Sequence, residues 1–122
     1  ILNAKGLSAG YYEHRIKKVL EVVDLKSYRK IKPAELNLHQ LVRANIAQAL
    51  LAFPSLMILE NPTQNLDELN SRGIYNLLKQ INGLGITIVL LSSNKHLIPA
   101  ARMNRIVNLK KGEILAEKIQ KN

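Results

Sequence analysis

The chain has 122 residues, 47% hydrophobic and 22% charged, with no cysteine and no tryptophan. That is one domain's worth or less at roughly 100–200 residues per domain, and too apolar for a disordered segment. No apolar run approaches the ~20 residues of a membrane-spanning helix, and without cysteine there is no disulfide, thiolate metal site or cysteine nucleophile. The opening ILNAKGLSAGYYEHR has no signal-peptide h-region, and Ile1 in place of Met fits a fragment or a processed product. Eighteen Lys and Arg against nine Asp and Glu give a net charge of +9, which invites a nucleic-acid or anionic-membrane reading. The cations are spread, however, over Arg15, Lys17, Lys18, Lys26, Arg29, Lys30 and Lys32, then Lys110, Lys111, Lys118 and Lys121. One Phe and four Tyr are few stacking platforms for a single strand, so a solvated, anion-tolerant face is the plainer account. A basic nucleic-acid-binding module is the weakest alternative, and no nucleic-acid partner is expected.

In chain order, EHRIKKVLEVVDL (13–25) places Ile16, Val19, Leu20 and Val23 at helical spacing. Lys26 to Pro33 reads as a basic turn closed by the proline. A second helix is expected over Gln40–Ala52, with Leu41, Ala44, Ala49 and Leu50 or Leu51 inward, stopped by Pro54. SLMILE then reads as a short strand buried on both faces. NPTQNLDEL turns into a helix over Glu68–Ile81, with Asp67 or Asn65 available as its cap. NGLG is a turn and ITIVLLSS a second buried strand. NKHLIPAARM reads as a short helical segment interrupted by Pro99, and RIVNLKKGEILAE as a hairpin turning at Lys111–Gly112. Alternating strands and helices predict an α/β fold, mostly parallel in its sheet, with a C-terminal β-hairpin and an α-helical subdomain in front.

The stretch ELNLHQLVRANIAQALLAFPSLMILENPTQNLDEL (35–69) carries the specific signal. A turn opens a helix, the helix ends at a proline, a hydrophobic strand ends in an acid, and a Pro-Thr turn ends in Asn-Leu-Asp. This resembles the ATP-binding-cassette (ABC) ATPases from the signature loop through the Walker B strand to the D-loop. It registers without a gap on L-S-G-G-Q-x-x-R-(x)-A-I-A-R-A-L, a proline, four hydrophobic residues and D-E-P-T, then G-N-L-D. The Asn-Leu-Asp form is similar to the subgroup serving lipoprotein-export, macrolide-export and cell-division permeases. GITIVLLSSNKH resembles the strand entering the switch-histidine loop, RIVNLKKGEIL the closing hairpin, and RIKKVLEVVDLKSYRKIKPAEL the helical subdomain before the signature.

The resemblance covers nearly the whole chain but about half of a cassette. It implies a helical subdomain over 1–53, including the signature position and its helix, and over 54–122 the C-terminal part of a P-loop NTPase core. No G-x-x-x-x-G-K-[ST] occurs in the sequence, so the backbone cradle for phosphates is not among these residues. The family's Q-loop glutamine falls before Ile1.

Several matched positions are altered. At the signature, Leu36 and Gln40 match, while Asn37 replaces the serine and Leu38 and His39 replace two glycines. Those glycines let backbone amides approach a partner's γ-phosphate, and side chains there obstruct that approach. Glu60 stands where an aspartate directs Mg²⁺ through water, and is the one metal-directing candidate; an acid at a strand edge is its plain alternative. Asn61 takes the place of the glutamate that orients the attacking water, and an amide cannot accept its proton. Asn61-Pro62 is also simply a turn dipeptide. Ser93 stands where the switch histidine contacts the γ-phosphate. His39 at a helix start is more simply a surface group than a ligand, and His96 is turned from the switch position by Asn94 and Lys95. The D-loop, Gln64, Asn65, Leu66 and Asp67, is retained, as are Arg43, Ile46, Ala47, Ala49, Leu50, Pro54, Pro62 and Thr63. Asn82-Gly83-Leu84-Gly85 precedes a strand and is no phosphate cradle.

The resemblance thus implies an ABC transporter ATP-binding subunit, or a fragment of one, at the cytoplasmic face of a membrane. Its partners would be a permease subunit and a second cassette, and its ligands ATP and Mg²⁺. The altered positions imply a pseudo-ATPase that does not hydrolyse ATP alone. A non-catalytic interaction or regulatory protein on the same scaffold is the alternative.

Overall fold

The computed structural model describes residues 9–93 and 103–119. They fall into two compact units, one running to Leu91 and the other starting at Ser92.

The first unit begins with α1 (Ala9–Val22), which starts four residues before the charged, periodic stretch and ends three before its expected limit. The early stop is a backbone device. Asp24 takes φ 60°, the Leu25 amide bonds Leu20 O at 2.8 Å and the Asp24 amide bonds Glu21 O at 3.2 Å. This is a Schellman end built on an Asp in the position usually held by Gly, with Leu25 buried behind it. Residues 26–35 are more ordered than a turn: 3₁₀ helices span Lys26–Tyr28 and Pro33–Glu35. Pro33 opens the second of these at a first-turn position, where its missing N–H costs nothing, so it does not close the preceding turn.

Helix α2 (Leu38–Leu50) lies two residues earlier than expected because Asn37 caps it in a capping box with Gln40. Its buried residues are Ile46, Ala47 and Leu50; Ala49, expected inward, is exposed. Strand β1 (Leu56–Glu60) follows, then α3 (Glu68–Gly83), which runs through Asn82 and Gly83. The turn is left to Leu84 and Gly85, the latter at φ 96°. Strand β2 (Thr87–Leu91) pairs parallel with β1, Leu56 opposite Thr87 and Glu60 opposite Leu91.

Helix α1 packs on α2, α2 on α3, and α3 on β2. The core comprises Val19, Val23 and Leu25, then Ile46 and Leu50, then Met57 with Ile74, Leu77, Leu78 and Ile81 of α3. The strands are not buried on both faces: β1 buries Met57 while Leu56 and Ile58 are exposed, and in β2 Val89 and Leu91 are exposed. Among the described residues one face of this sheet has no covering layer.

Two arginines tie the helices. Arg43 of α2 donates through Nη1 to Val23 O at the end of α1, at 3.1 Å, and Arg15 of α1 donates through Nη2 to Leu50 O at the end of α2, at 3.0 Å. Each places a cation at the negative pole of the other helix. The Arg15 guanidinium also lies 3.4 Å over the Phe53 ring, so Arg15 does not belong to the solvated basic face.

The second unit holds the hairpin of β3 (Arg105–Lys110) and β4 (Glu113–Ile119). Its turn, Lys111 at φ 52° and Gly112 at φ 79°, has both central residues at positive φ, as a type I′ connection requires. The segment 94–102, with His96 and most of NKHLIPAARM, lies outside the described residues. Among the described residues no helix is long and apolar enough to cross a membrane.

Candidate functional site

The turn between β1 and α3 is fixed at both ends. Glu60 is the last residue of β1, exposed, in register with Leu91. Asn61 adopts φ 44° and donates its amide to Leu91 O at 2.7 Å, so the turn leaves the strand locked to the end of β2. Asn61 O then accepts from Gln64 N at 3.1 Å, and Thr63 O from Leu66 N at 3.1 Å. Asn65 adopts φ 66°, a left-handed conformation that Asn tolerates better than branched residues do.

Asp67 ends the turn as the cap of α3. Its Oδ1 accepts from Asn70 N at 2.7 Å and its carbonyl from Ser71 N at 2.9 Å. Beneath the turn, buried Thr63 shares a 2.9 Å hydroxyl–hydroxyl hydrogen bond with Tyr75 of α3. Tyr75 stands outside every motif in the sequence. The two residues lie twelve apart on different elements, and no local pattern announces their contact.

At the start of α2, Asn37 Oδ1 accepts from Gln40 N and Gln40 Oε1 accepts from Asn37 N, both at 3.0 Å. The Asn37 and Gln40 side chains are therefore each engaged on the other residue's backbone amide. The Asn-x-x-Gln spacing is the sequence signal that announces the box. Leu38 is exposed, and His39, like Leu36 and Gln40, is half-buried. Ser93, exposed, follows β2 by two residues and is described with the second unit.

Among the described residues no three of His, Asp and Glu converge as a metal site. Glu60 offers one carboxylate, and the chain contains no phosphate-binding glycine-lysine loop. These residues by themselves do not fit a complete Mg²⁺–nucleotide site.

The chain is 33% identical over 105 residues to the cell division ATP-binding protein FtsE of Streptococcus pneumoniae, a match covering 86% of this chain and 45% of that protein. It is 33% identical over 103 residues to the macrolide export ATP-binding/permease protein MacB of Aggregatibacter actinomycetemcomitans, covering 84% and 16%. A dimeric ATP-binding cassette solved in a post-hydrolysis state with ADP and Pi superposes with a TM-score of 0.77 at 30% identity, over 95% of this chain and 50% of that one. The homologues of this chain are ABC transporter ATP-binding proteins, and its fold is that of their cassettes. An ABC cassette subunit from Clostridium perfringens, cbiO1, shares the fold with a TM-score of 0.86 at 24% identity, over 91% of this chain and 44% of its own. No protein-family model matches the chain. The ABC relatives include the cell-division and macrolide-export groups to which Asn65-Leu66-Asp67 points. The chain spans half or less of each of these proteins.

Proposed function

We propose that the chain acts as the ATP-binding component of an ABC transporter, or as part of one, and that it does not hydrolyse ATP by itself. In this reading residues 1–53 form the helical subdomain that meets a permease subunit, and 54–122 contribute the C-terminal part of the nucleotide-binding core. Leu36–Gln40 occupy the signature position, and Gln64–Asp67 face a second cassette as the D-loop. The supporting observation is the capped helix, strand and pinned Asn-Pro-Thr turn, in that order, in a chain one-third identical to FtsE. ATP and Mg²⁺ are ligands of the assembled cassette, at the cytoplasmic face of the membrane.

The chemistry argues for a pseudo-ATPase. At the end of β1 the carboxamide of Asn61 cannot take a proton from water, and its backbone is committed to Leu91 and Gln64. Ser93 is too short and uncharged to replace an imidazole. Stabilisation in phosphoryl transfer is collective, so these losses compound.

The alternative, an interaction or regulatory protein that binds no nucleotide, draws support from the mutual engagement of Asn37 and Gln40 and from the Leu38 side chain beside them. Crosslinking the tagged chain in native membranes tests the leading reading. A permease and a second cassette should be recovered, and Leu66→Lys or Asp67→Lys, each checked for retained helicity, should reduce the cassette. Recovery as a soluble monomer, indifferent to both substitutions, would refute it.

A further inference from the structure

Residues 13–32 hold seven Lys and Arg against three Asp and Glu, so a net +4 of the chain's +9 sits in twenty residues. The fold draws part of that charge together. Helix α1 and the 3₁₀ turn at Lys26–Tyr28 enclose a cavity of about 410 Å³ lined by Glu13, Lys17, Leu20, Lys26 and Arg29. Glu13, Lys17 and Leu20 share one face of α1 by helical spacing. The Schellman end at Asp24 then turns the chain back, so that Lys26 and Arg29 stand across from them. Glu13 pairs with Arg29, and Glu21 with Lys26 at 3.6 Å. Lys17, Lys30 and Lys32, all exposed, have no acidic partner among the described residues.

Apolar side chains are interleaved with these charges. The Tyr28 amide bonds Leu25 O at 2.9 Å and the Ile31 amide bonds Tyr28 O at 3.0 Å, so the chain advances in steps that eclipse every third side chain. Leu25, Tyr28 and Ile31 fall in one row, and Lys26 and Arg29 in the next. Leu25 is buried, whereas Tyr28 and Ile31 are each 40% exposed. Cations beside a tyrosine and an isoleucine with open outer ends suit a membrane surface. There lipid phosphates meet the charges and the apolar ends enter between headgroups.

We infer that the outer face of α1 and the 26–32 turn dock on an anionic lipid bilayer, the cavity beside Lys17, Lys26 and Arg29 receiving a lipid phosphate. Charge complementarity selects a polyanionic surface. The apolar row selects lipid over nucleic acid: a duplex offers phosphates to the lysines but nothing to Ile31, and one tyrosine is a poor platform for a single strand. Glu13 does not repel the phosphate as a free carboxylate would, because Arg29 holds it. The contact needs neither nucleotide nor permease, so it goes beyond the function proposed above and does not depend on it.

The test floats the purified 122-residue chain with vesicles of phosphatidylcholine alone or with about 30% phosphatidylserine. The chain should float with the anionic vesicles only, and be released at about 1 M salt, where the Debye length is about 3 Å. Lys17→Gln with Lys30→Gln and Lys32→Gln should weaken binding about a hundredfold, at roughly fivefold per cation near an anionic surface. Lys110→Gln with Lys111→Gln and Lys118→Gln removes the same charge from the hairpin and should weaken it less than about fivefold. All six lysines are exposed, so circular dichroism should be unchanged in both proteins. The chain has no tryptophan, so Tyr28→Trp supplies a single reporter whose emission should shift to the blue on anionic vesicles as the ring leaves water. Equal flotation with neutral vesicles, equal losses from the two triple substitutions, or an unshifted emission from the Tyr28→Trp protein would each overturn the inference. Tighter retention on a DNA duplex than on anionic vesicles at one salt concentration would overturn it in favour of nucleic acid. A chain that floats yet recovers no permease from native membranes refutes the proposed function alone. One that recovers a permease but does not float refutes the lipid contact alone.

Discussion

Gly73→Ala tests the contact by which α2 is held to its neighbours. An ideal Cβ built on Gly73 of α3 falls 3.1 Å from Arg43 Nη2, closer than almost all such contacts, while Nη1 of the same guanidinium donates to Val23 O. Two effects oppose. Gly→Ala in a helix interior gains about 1 kcal/mol of propensity. Displacing the guanidinium by a few tenths of an ångström erodes a charge-assisted bond worth about 1.5–3 kcal/mol. Arg43 is flexible, so the bond is weakened more than broken, and Gly73→Ala in the wild-type background should leave stability nearly unchanged. In an Arg43→Met background the obstacle is gone and the full gain of about 1 kcal/mol should appear, giving a coupling of roughly 0.5–1 kcal/mol. Arg43→Met alone should cost about 1.5–3 kcal/mol, because α1 has no basic residue of its own in its last turn to meet the freed carbonyls. The assay is urea unfolding of the four proteins followed by far-UV circular dichroism, with m-values checked for a common two-state transition. Additivity within about 0.3 kcal/mol, with Gly73→Ala stabilising both backgrounds alike, would refute the claim that Arg43 and Gly73 share one tight contact.

Thr63→Val or Tyr75→Phe alone should destabilise by about 1–3 kcal/mol, since each strands a buried hydroxyl, and the double substitution should cost less than the two singles together, read from the same urea curves. Asn37→Ala and Asp67→Ala should each cost about 1 kcal/mol by loss of a cap, Asn37→Ala showing as reduced hydrogen-exchange protection at the start of α2 and Asp67→Ala at the start of α3. Asn61→Glu should yield no ATP turnover in a phosphate-release assay of the 122-residue chain, because one restored group does not supply the cradle, the signature glycines or the switch imidazole. Robust turnover from that single substitution would mean a site assembled from other residues.

Much of this was legible in local pattern. The order of elements, the Asp67 cap and the Lys111–Gly112 turn are written in residues whose backbone preferences act within four positions. The end of α1 was not, because Asp24 does the work usually given to Gly and a polar residue there reads as more helix. The start of α2 was readable from Asn37-x-x-Gln40, but the apolar periodicity begins later than the cap and drew the boundary with it. Burial was least legible. The apolar runs of β1 and β2 predict two covered faces, and α3 supplies cover for one; what covers a sheet is a property of partners in space that a strand's own sequence can require but not provide. The contacts of Arg43 with Val23 and of Thr63 with Tyr75 likewise join elements whose sequences carry no mutual mark.

The pseudo-ATPase reading is tested most directly by phosphate release from ATP and Mg²⁺ with the purified 122-residue chain, measured across its gel-filtration peak beside a Glu60→Ala variant. Release no faster than buffer, and equal in both proteins, is the predicted result. Turnover that tracks the peak and disappears in Glu60→Ala would contradict it.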